Sequence, residues 1–207
     1  MNMKPEQLEQ IKEQFKTLKE RSSFYARKFE GIDLSDVQSQ EDFQKLPFSE
    51  KADLREVYPL GLAAVPEEKI VRIHSSSGTT GTPVIIPYTQ KDVTDWAIQF
   101  ARCYEVAGIT NKDRIHITPG YGLWTAGIGF QLGAERLGAM AVPMGPGNTE
   151  KQLRFMKDMK TTVLCATSSY ALLLAEEIAA RDKVDIRTYR VIYDAIADVE
   201  AAMDRLN

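Results

Sequence analysis

His74-Ser75-Ser76-Ser77-Gly78-Thr79-Thr80-Gly81-Thr82-Pro83 is the stretch whose reading decides the fold. Apolar runs flank it, Ile70-Val71-Arg72-Ile73 before and Val84-Ile85-Ile86 after, which predicts strand, loop, strand. Glycine lets backbone N–H groups turn inward and approach a ligand, and serine and threonine hydroxyls add donors, so the loop suits the oxygens of a phosphate. It is not a Walker loop, because no lysine follows its second glycine. A solvated Gly/Ser/Thr hairpin has the same composition, and at this level both readings stay open.

Downstream of the loop, helical and strand patterns alternate. Thr89 and Asp92 form a capping box before a helix whose three-and-four spacing predicts burial of Val93, Trp96, Phe100, Cys103 and Ala107. Arg114–Thr118 reads as a strand, followed by the glycine and aromatic loop Pro119–Trp124 and a small-residue helix over 125–137. Ala139–Pro143 is the next strand. Thr149 with Gln152 predicts a capping box for a helix to Met159, and 161–166 reads as a strand before a helix through Leu172, Leu173 and Ile178. A strand at Tyr189–Tyr193 and a final helix close the chain. Continuous apolar strands separated by helices predict an α/β fold, a mainly parallel sheet flanked by helices, with ligands bound beyond the strand C-terminal ends. Tyr121, Trp124, Thr167 and Ser168 all follow strands and are expected to share that crevice.

Upstream, Leu8, Ile11, Phe15, Leu18, Tyr25 and Phe29 form one helical stripe interrupted at Ser22-Ser23, with Gly31 as a stop. Short helical turns are expected over 33–44, then a short helix capped by Ser49 and ending near Tyr58-Pro59. The chain divides into a helical region, 1–68, and an α/β subdomain with the phosphate loop, 69–207, without a clear linker between them.

The 207 residues suffice for one well-filled α/β domain. Hydrophobic residues at 43% and charged residues at 27% are the proportions of a soluble globular protein. A net charge of -3 gives no broad attraction to nucleic acid or to an anionic membrane, so any phosphate site is local. Cys103 and Cys165 sit in apolar runs without metal spacing and read as buried thiols in a reducing compartment. No leader-like apolar segment or spanning run appears, and a cytoplasmic location is expected.

Several blocks together resemble the phenylacetate–CoA ligases, a branch of the adenylate-forming (acyl-CoA synthetase) superfamily. They are Arg72-Ile73-His74 leading into Ser76-Ser77-Gly78-Thr79-Thr80-Gly81, then Tyr121-Gly122-Leu123, Gly133-Ala134-Glu135-Arg136-Leu137-Gly138-Ala139 and Thr149-Glu150-Lys151-Gln152. The resemblance runs from about Phe24 to Asp185 and implies the N-terminal part of the adenylate-forming fold. It implies that a carboxylate attacks the α-phosphate of ATP, giving an acyl-adenylate and pyrophosphate, and that the thiol of coenzyme A then displaces AMP. In that scheme Ser76, Ser77, Gly78, Thr79, Thr80, Gly81 and Thr82 surround the β- and γ-phosphates, and Mg²⁺ offsets their charge. Tyr121, Gly122 and Trp124 border the pocket for an aromatic acid; Trp124 as core filler is the competing reading. No catalytic residue is assigned: a carboxylate is already ionised at neutral pH, so His74 and His116 read as structural and Glu135-Arg136 as a packing ion pair.

Two departures limit what the resemblance implies. Thr82 stands where this branch usually carries lysine, and Mg²⁺, Lys91 or Arg72 would have to replace that charge. Family members also continue for about as many residues again, with the adenine and ribose contacts, the hinge and the catalytic lysine. The chain is therefore expected to be either part of an aryl-CoA ligase, completed by a missing C-terminal half, or a module that binds a ligand or partner without turnover. Association into a homo-oligomer is a further expectation.

Overall fold

The helical stripe at the N-terminus forms two helices, α1 (Pro5–Arg21) and α2 (Ser23–Lys28), broken at Ser22. The computed structural model describes residues 4–76 and 81–182. Leu8, Ile11, Phe15 and Leu18 are half-buried, while Phe24 and Phe29 are buried. Phe29 anchors the break, with its ring 4.8 Å from Phe15 and 5.8 Å from Tyr25. Gly31, at φ +73°, turns the chain after α2 in a conformation that side chains resist.

Two short helices follow, α3 (Gln40–Phe43) and α4 (Lys51–Glu56). Ser39 caps α3. The cap of α4 is Glu50 rather than the expected Ser49. Asp53 reaches back to the Glu50 N–H at 3.0 Å and also pairs with Lys28 at 2.5 Å, which draws the helix start one residue later and ties it to α2.

The quoted stretch opens with β1 (Ile70–Ser75), which pairs antiparallel with β2 (Ile85–Thr89) in a two-stranded sheet of its own. Strand alternation turns Arg72 and His74 inward and leaves Val71 and Ile73 exposed. The inward face meets Trp96 of α5 (Gln90–Val106): the Arg72 guanidinium lies 5.7 Å from the Trp96 ring centre, and Tyr88 stacks on the same ring at 5.6 Å. Helix α5 begins at the predicted Thr89–Asp92 capping box.

The parallel sheet has the order β4-β3-β5, from β3 (Arg114–Ile117), β4 (Met140–Pro143) and β5 (Val163–Cys165). Between β3 and β4 runs α6 (Ala126–Leu137); between β4 and β5 runs α7 (Thr149–Asp158); α8 (Ser168–Asp182) follows β5. The glycines of α6 serve close approach: a Cβ on Gly133 would lie 2.5 Å from Phe100 Cβ, and one on Gly129 would lie 2.5 Å from Phe100 Cζ. Helices α5 and α6 thus pack backbone to ring, and Ile115, Ile117 and Ala134 are sealed at 0% exposure.

Several expectations change. Trp96 and Phe100 are only half-buried, Cys103 and Ala107 are exposed, and Ala101 and Tyr104 take the buried face of α5 with Val93. The stripe is rotated because α6 approaches on the Ala101 side, where Gly133 would bring a Cβ within 3.1 Å of the Ala101 N. In α8, Leu172 and Leu173 are exposed and Leu174, at 1%, carries the burial. Asn148, not Thr149, caps α7: at φ 49° its side chain accepts from the Lys151 N–H at 3.0 Å. The expected strand at Tyr189–Tyr193 and the final helix lie outside the described residues.

Candidate functional site

Three loops leave one edge of the parallel sheet, after β3, β4 and β5. They are joined through main chain and buried polar groups. The Thr118 N–H and hydroxyl both donate to the Cys165 carbonyl at 3.0 Å, and the Gly145 N–H donates to the Ile117 carbonyl at 3.0 Å. Gln152, at 1% exposure, reaches back from α7: its Nε2 donates to the carbonyls of Gly145 (2.7 Å) and Gly147 (3.0 Å). Its Oε1 then faces His116 Nε2 at 2.5 Å, so that nitrogen carries the proton. Burial pushes the His116 pKa below its ordinary value, the Gln152 bond opposing the shift, and the imidazole stays neutral. The sequence reading treated His116 as structural and Gln152 as a capping partner. The second role failed because Gln152 bonds to a strand 36 residues away.

The first of these loops carries the predicted aryl-acid residues. Gly122 adopts φ +102°, which a side chain would resist. Tyr121 packs over the start of α6, its Cδ2 2.9 Å from where a Gly127 Cβ would be and 3.8 Å from a Gly145 Cβ. Partial burial, then the charges of Glu135 and Cys165, push its phenol up to about 12, so it is a neutral O–H donor near pH 7. Trp124 is 57% exposed, which removes the core-filler reading, and Leu123 is 54% exposed. Thr167 and Ser168 are exposed at the same sheet edge.

The neck of the hydroxyl-rich loop meets this edge from the hairpin. Its neck is closed by Ser76, whose N–H donates to the Val84 carbonyl and whose Oγ accepts from the Val84 N–H, both at 3.0 Å. The Ser76 hydroxyl proton has no acceptor among the described residues. Gly81 has φ +124°, and it and Thr82 are exposed. Ser77, Gly78, Thr79 and Thr80 lie outside the described residues. At the neck, the Ser75 N–H and His74 Nδ1 each lie 3.0 Å from the Leu123 carbonyl oxygen, joining the hairpin to the loop after β3.

The two cations proposed to stand in for a lysine at position 82 are engaged elsewhere. Lys91 pairs with Asp95 on α5, and Arg72 lies over Trp96. Glu135 accepts from Gln131 at 2.8 Å rather than pairing with Arg136. Among the described residues, no group of three or more His, Cys, Asp or Glu is placed to hold a metal ion, and no helix is long and apolar enough to cross a membrane.

No family model matches the chain. The phenylacetate–coenzyme A ligase of Pseudomonas putida is 42% identical over 178 residues, 85% of this chain and 40% of that protein. Over most of its length, this chain is a relative of the phenylacetate–coenzyme A ligases. The Escherichia coli ligase of the same name is 44% identical over 83% of this chain and 40% of its own length. The chain thus spans about two fifths of the curated ligases it matches, consistent with their N-terminal portion. Among solved structures, an open conformation of 2-hydroxyisobutyryl-CoA ligase in complex with 2-HIB-AMP and CoA superposes with a TM-score of 0.77 at 31% identity, over 86% of this chain and 43% of that one. The fold is that of the adenylate-forming CoA ligases, a parallel sheet flanked by helices, as the sequence predicts. A separate, short similarity links the chain to a translation initiation factor IF-2 of Alkaliphilus metalliredigens, 66% identical over 29 residues, 14% of this chain and 4% of that protein.

Proposed function

We propose that the chain is the N-terminal portion of an AMP-forming ligase that joins an aromatic carboxylic acid of the phenylacetate kind to coenzyme A. The observation that carries this is the junction at Leu123, where the neck of the hydroxyl-rich loop meets the loop bearing Tyr121 and Trp124. An acid and a nucleotide phosphate must lie side by side for a carboxylate to reach the α-phosphate, and a junction between the two loops supports sites that adjoin.

Ser76, Ser77, Gly78, Thr79, Thr80, Gly81 and Thr82 are assigned to the β- and γ-phosphates. Hydroxyl and amide donors fit phosphate oxygens and offer a metal little, so Mg²⁺ is assigned to the phosphates, where it neutralises charge. Tyr121, Gly122 and Trp124 are assigned to the acid: the exposed indole supplies a flat apolar wall and the neutral phenol a donor. Coenzyme A is the second substrate and no residue of this chain is assigned to it. The helical region 1–68 and the α/β subdomain 69–207 remain our division of the chain. The setting is cytoplasmic, and the partner surface is that of a C-terminal half or a second copy.

Phenylacetate-dependent exchange of pyrophosphate into ATP tests the assignment. Exchange by this chain establishes turnover; its absence at high protein concentration removes autonomous catalysis. A second reading, binding without turnover, is favoured by Thr82, exposed where that branch carries lysine. On either reading Thr82→Lys should tighten ATP·Mg by on the order of fivefold, the yield of about 1 kcal/mol from one solvent-exposed charge pair. Calorimetric titration checks it, and an unchanged affinity would exclude residue 82 from the phosphate site.

A further inference from the structure

The Leu123 carbonyl oxygen meets two groups at the neck of the hydroxyl-rich loop, the Ser75 N–H and His74 Nδ1, and its surroundings point to a role for His74. A carbonyl only accepts, so His74 Nδ1, 3.0 Å away, carries the imidazole proton. The Ser75 N–H, also at 3.0 Å, takes the other lone pair. The ring is 3% exposed and is held edge-on by Tyr88 at 5.3 Å and Trp96 at 5.0 Å. Trp96 in turn abuts Phe100, and Phe100 abuts Phe130 of α6. An imidazole clamped in this way cannot swing to follow Leu123. Leu123 must instead keep its place relative to β1, and two residues beyond His74 the Ser76–Val84 bonds close the neck of the hydroxyl-rich loop.

The burial of His74 needs such an explanation. A strand facing an aromatic cluster would pack as well with leucine or phenylalanine, yet this one buries a polar ring. Its Nε2 has no hydrogen-bond partner among the described residues, a cost that Nδ1 alone offsets.

We propose that His74 is a positioning residue whose Nδ1–H bond to the Leu123 carbonyl couples the neck of the hydroxyl-rich loop at Ser76 and Val84 to the Tyr121–Trp124 loop, so that filling one of the two proposed sites tightens binding at the other. The proposal rests on the functional assignment above, with ATP·Mg and phenylacetate as the two ligands. Linkage makes the effect reciprocal, and a coupling of this kind is worth about fivefold or more in affinity.

The test uses the full chain. ATP·Mg is titrated calorimetrically with and without saturating phenylacetate, and the ratio of the two affinities is compared among variants. His74→Phe keeps an aromatic ring and removes the donor; the ratio should fall to about one while the β3 amides of Ile115 and Ile117 keep their hydrogen-exchange protection. His74→Asn, whose amide nitrogen can stand near Nδ1, should restore the ratio. A coupling that persists in His74→Phe overturns the proposal, as does a ratio that His74→Asn leaves at one in a folded chain. A ligand-free arm follows the Ser75 amide. Its exchange should quicken at least tenfold in His74→Phe and recover in His74→Asn, and unchanged exchange overturns the bridge. If the unaltered chain binds neither ligand, the functional assignment falls and the coupling with it, while the Ser75 arm still decides whether His74 fixes Leu123.

Discussion

The parallel layer and the hairpin hold their loops by opposite means. In the layer, Ile115, Ile117 and Ala134 are wholly enclosed, and the loops at its edge are fastened by groups buried beneath them, Thr118 and Gln152. The hairpin leaves Val71 55% and Ile73 40% exposed and turns its polar residues inward. What fixes it is a column of rings and a few directional bonds at Leu123 and Val84. Burial makes the layer stable but says little about where a loop points, because the hydrophobic effect has no direction. Hydrogen bonds to one carbonyl do the reverse, contributing little net stability while fixing position.

The sharpest way to break this contrast is to remove matching side chains. Ile115→Ala should cost about 2–5 kcal/mol in urea unfolding, through lost transfer energy and the cavity left behind. Ile73→Ala should cost under about 1 kcal/mol, since its side chain is already partly solvated. Equal costs would mean that the hairpin is as buried in solution as the layer. Next in size, Gln152→Leu strands the His116 Nε2–H and the carbonyls of Gly145 and Gly147, and should cost about 1–3 kcal/mol by the same measurement.

Acid separates the two regions by a smaller margin. The folded pKa of His116 is depressed, so the unfolded chain binds the extra proton first as pH falls. The stability this group contributes is complete above about pH 6.5 and is lost as pH drops from there through the folded value. Urea midpoints between pH 7.5 and 5 should follow that decline, and His116→Gln should flatten this part of it. Smallest of all in stability is Trp124→Ala, expected within about 0.5 kcal/mol because the ring is exposed. Its effect should fall on phenylacetate affinity instead, weakening it about tenfold through lost ring contact and burial. A variant that lost stability and kept affinity would remove Trp124 from the acid site.

Much of this fold could be read from the sequence because its signals are local. The helical stripe of α1, the break at Ser22, the Thr89–Asp92 capping box and the strand–helix alternation all depend on neighbours within a few residues. Misreadings occur where a distant partner decides. Gln152 left its capping pattern for a histidine on another strand, and the Gly133–Phe100 contact rotated α5 so that Cys103 faces solvent. In the site, the order of loop residues and the aromatic loop after β3 were legible as blocks. The inward turn of His74 was not, because alternation along a strand says which residues share a face and leaves open which face is covered.

One consequence of the ring column is optical. The chain has two tryptophans, and they occupy opposite circumstances: Trp96 is half-buried beneath Arg72 and beside Tyr88, while Trp124 stands 57% exposed on the loop after β3. Iodide, which quenches only what it can touch, should therefore darken Trp124 and largely spare Trp96. The emission of the unlabelled chain divides into one signal from the loop and one from the column that holds it.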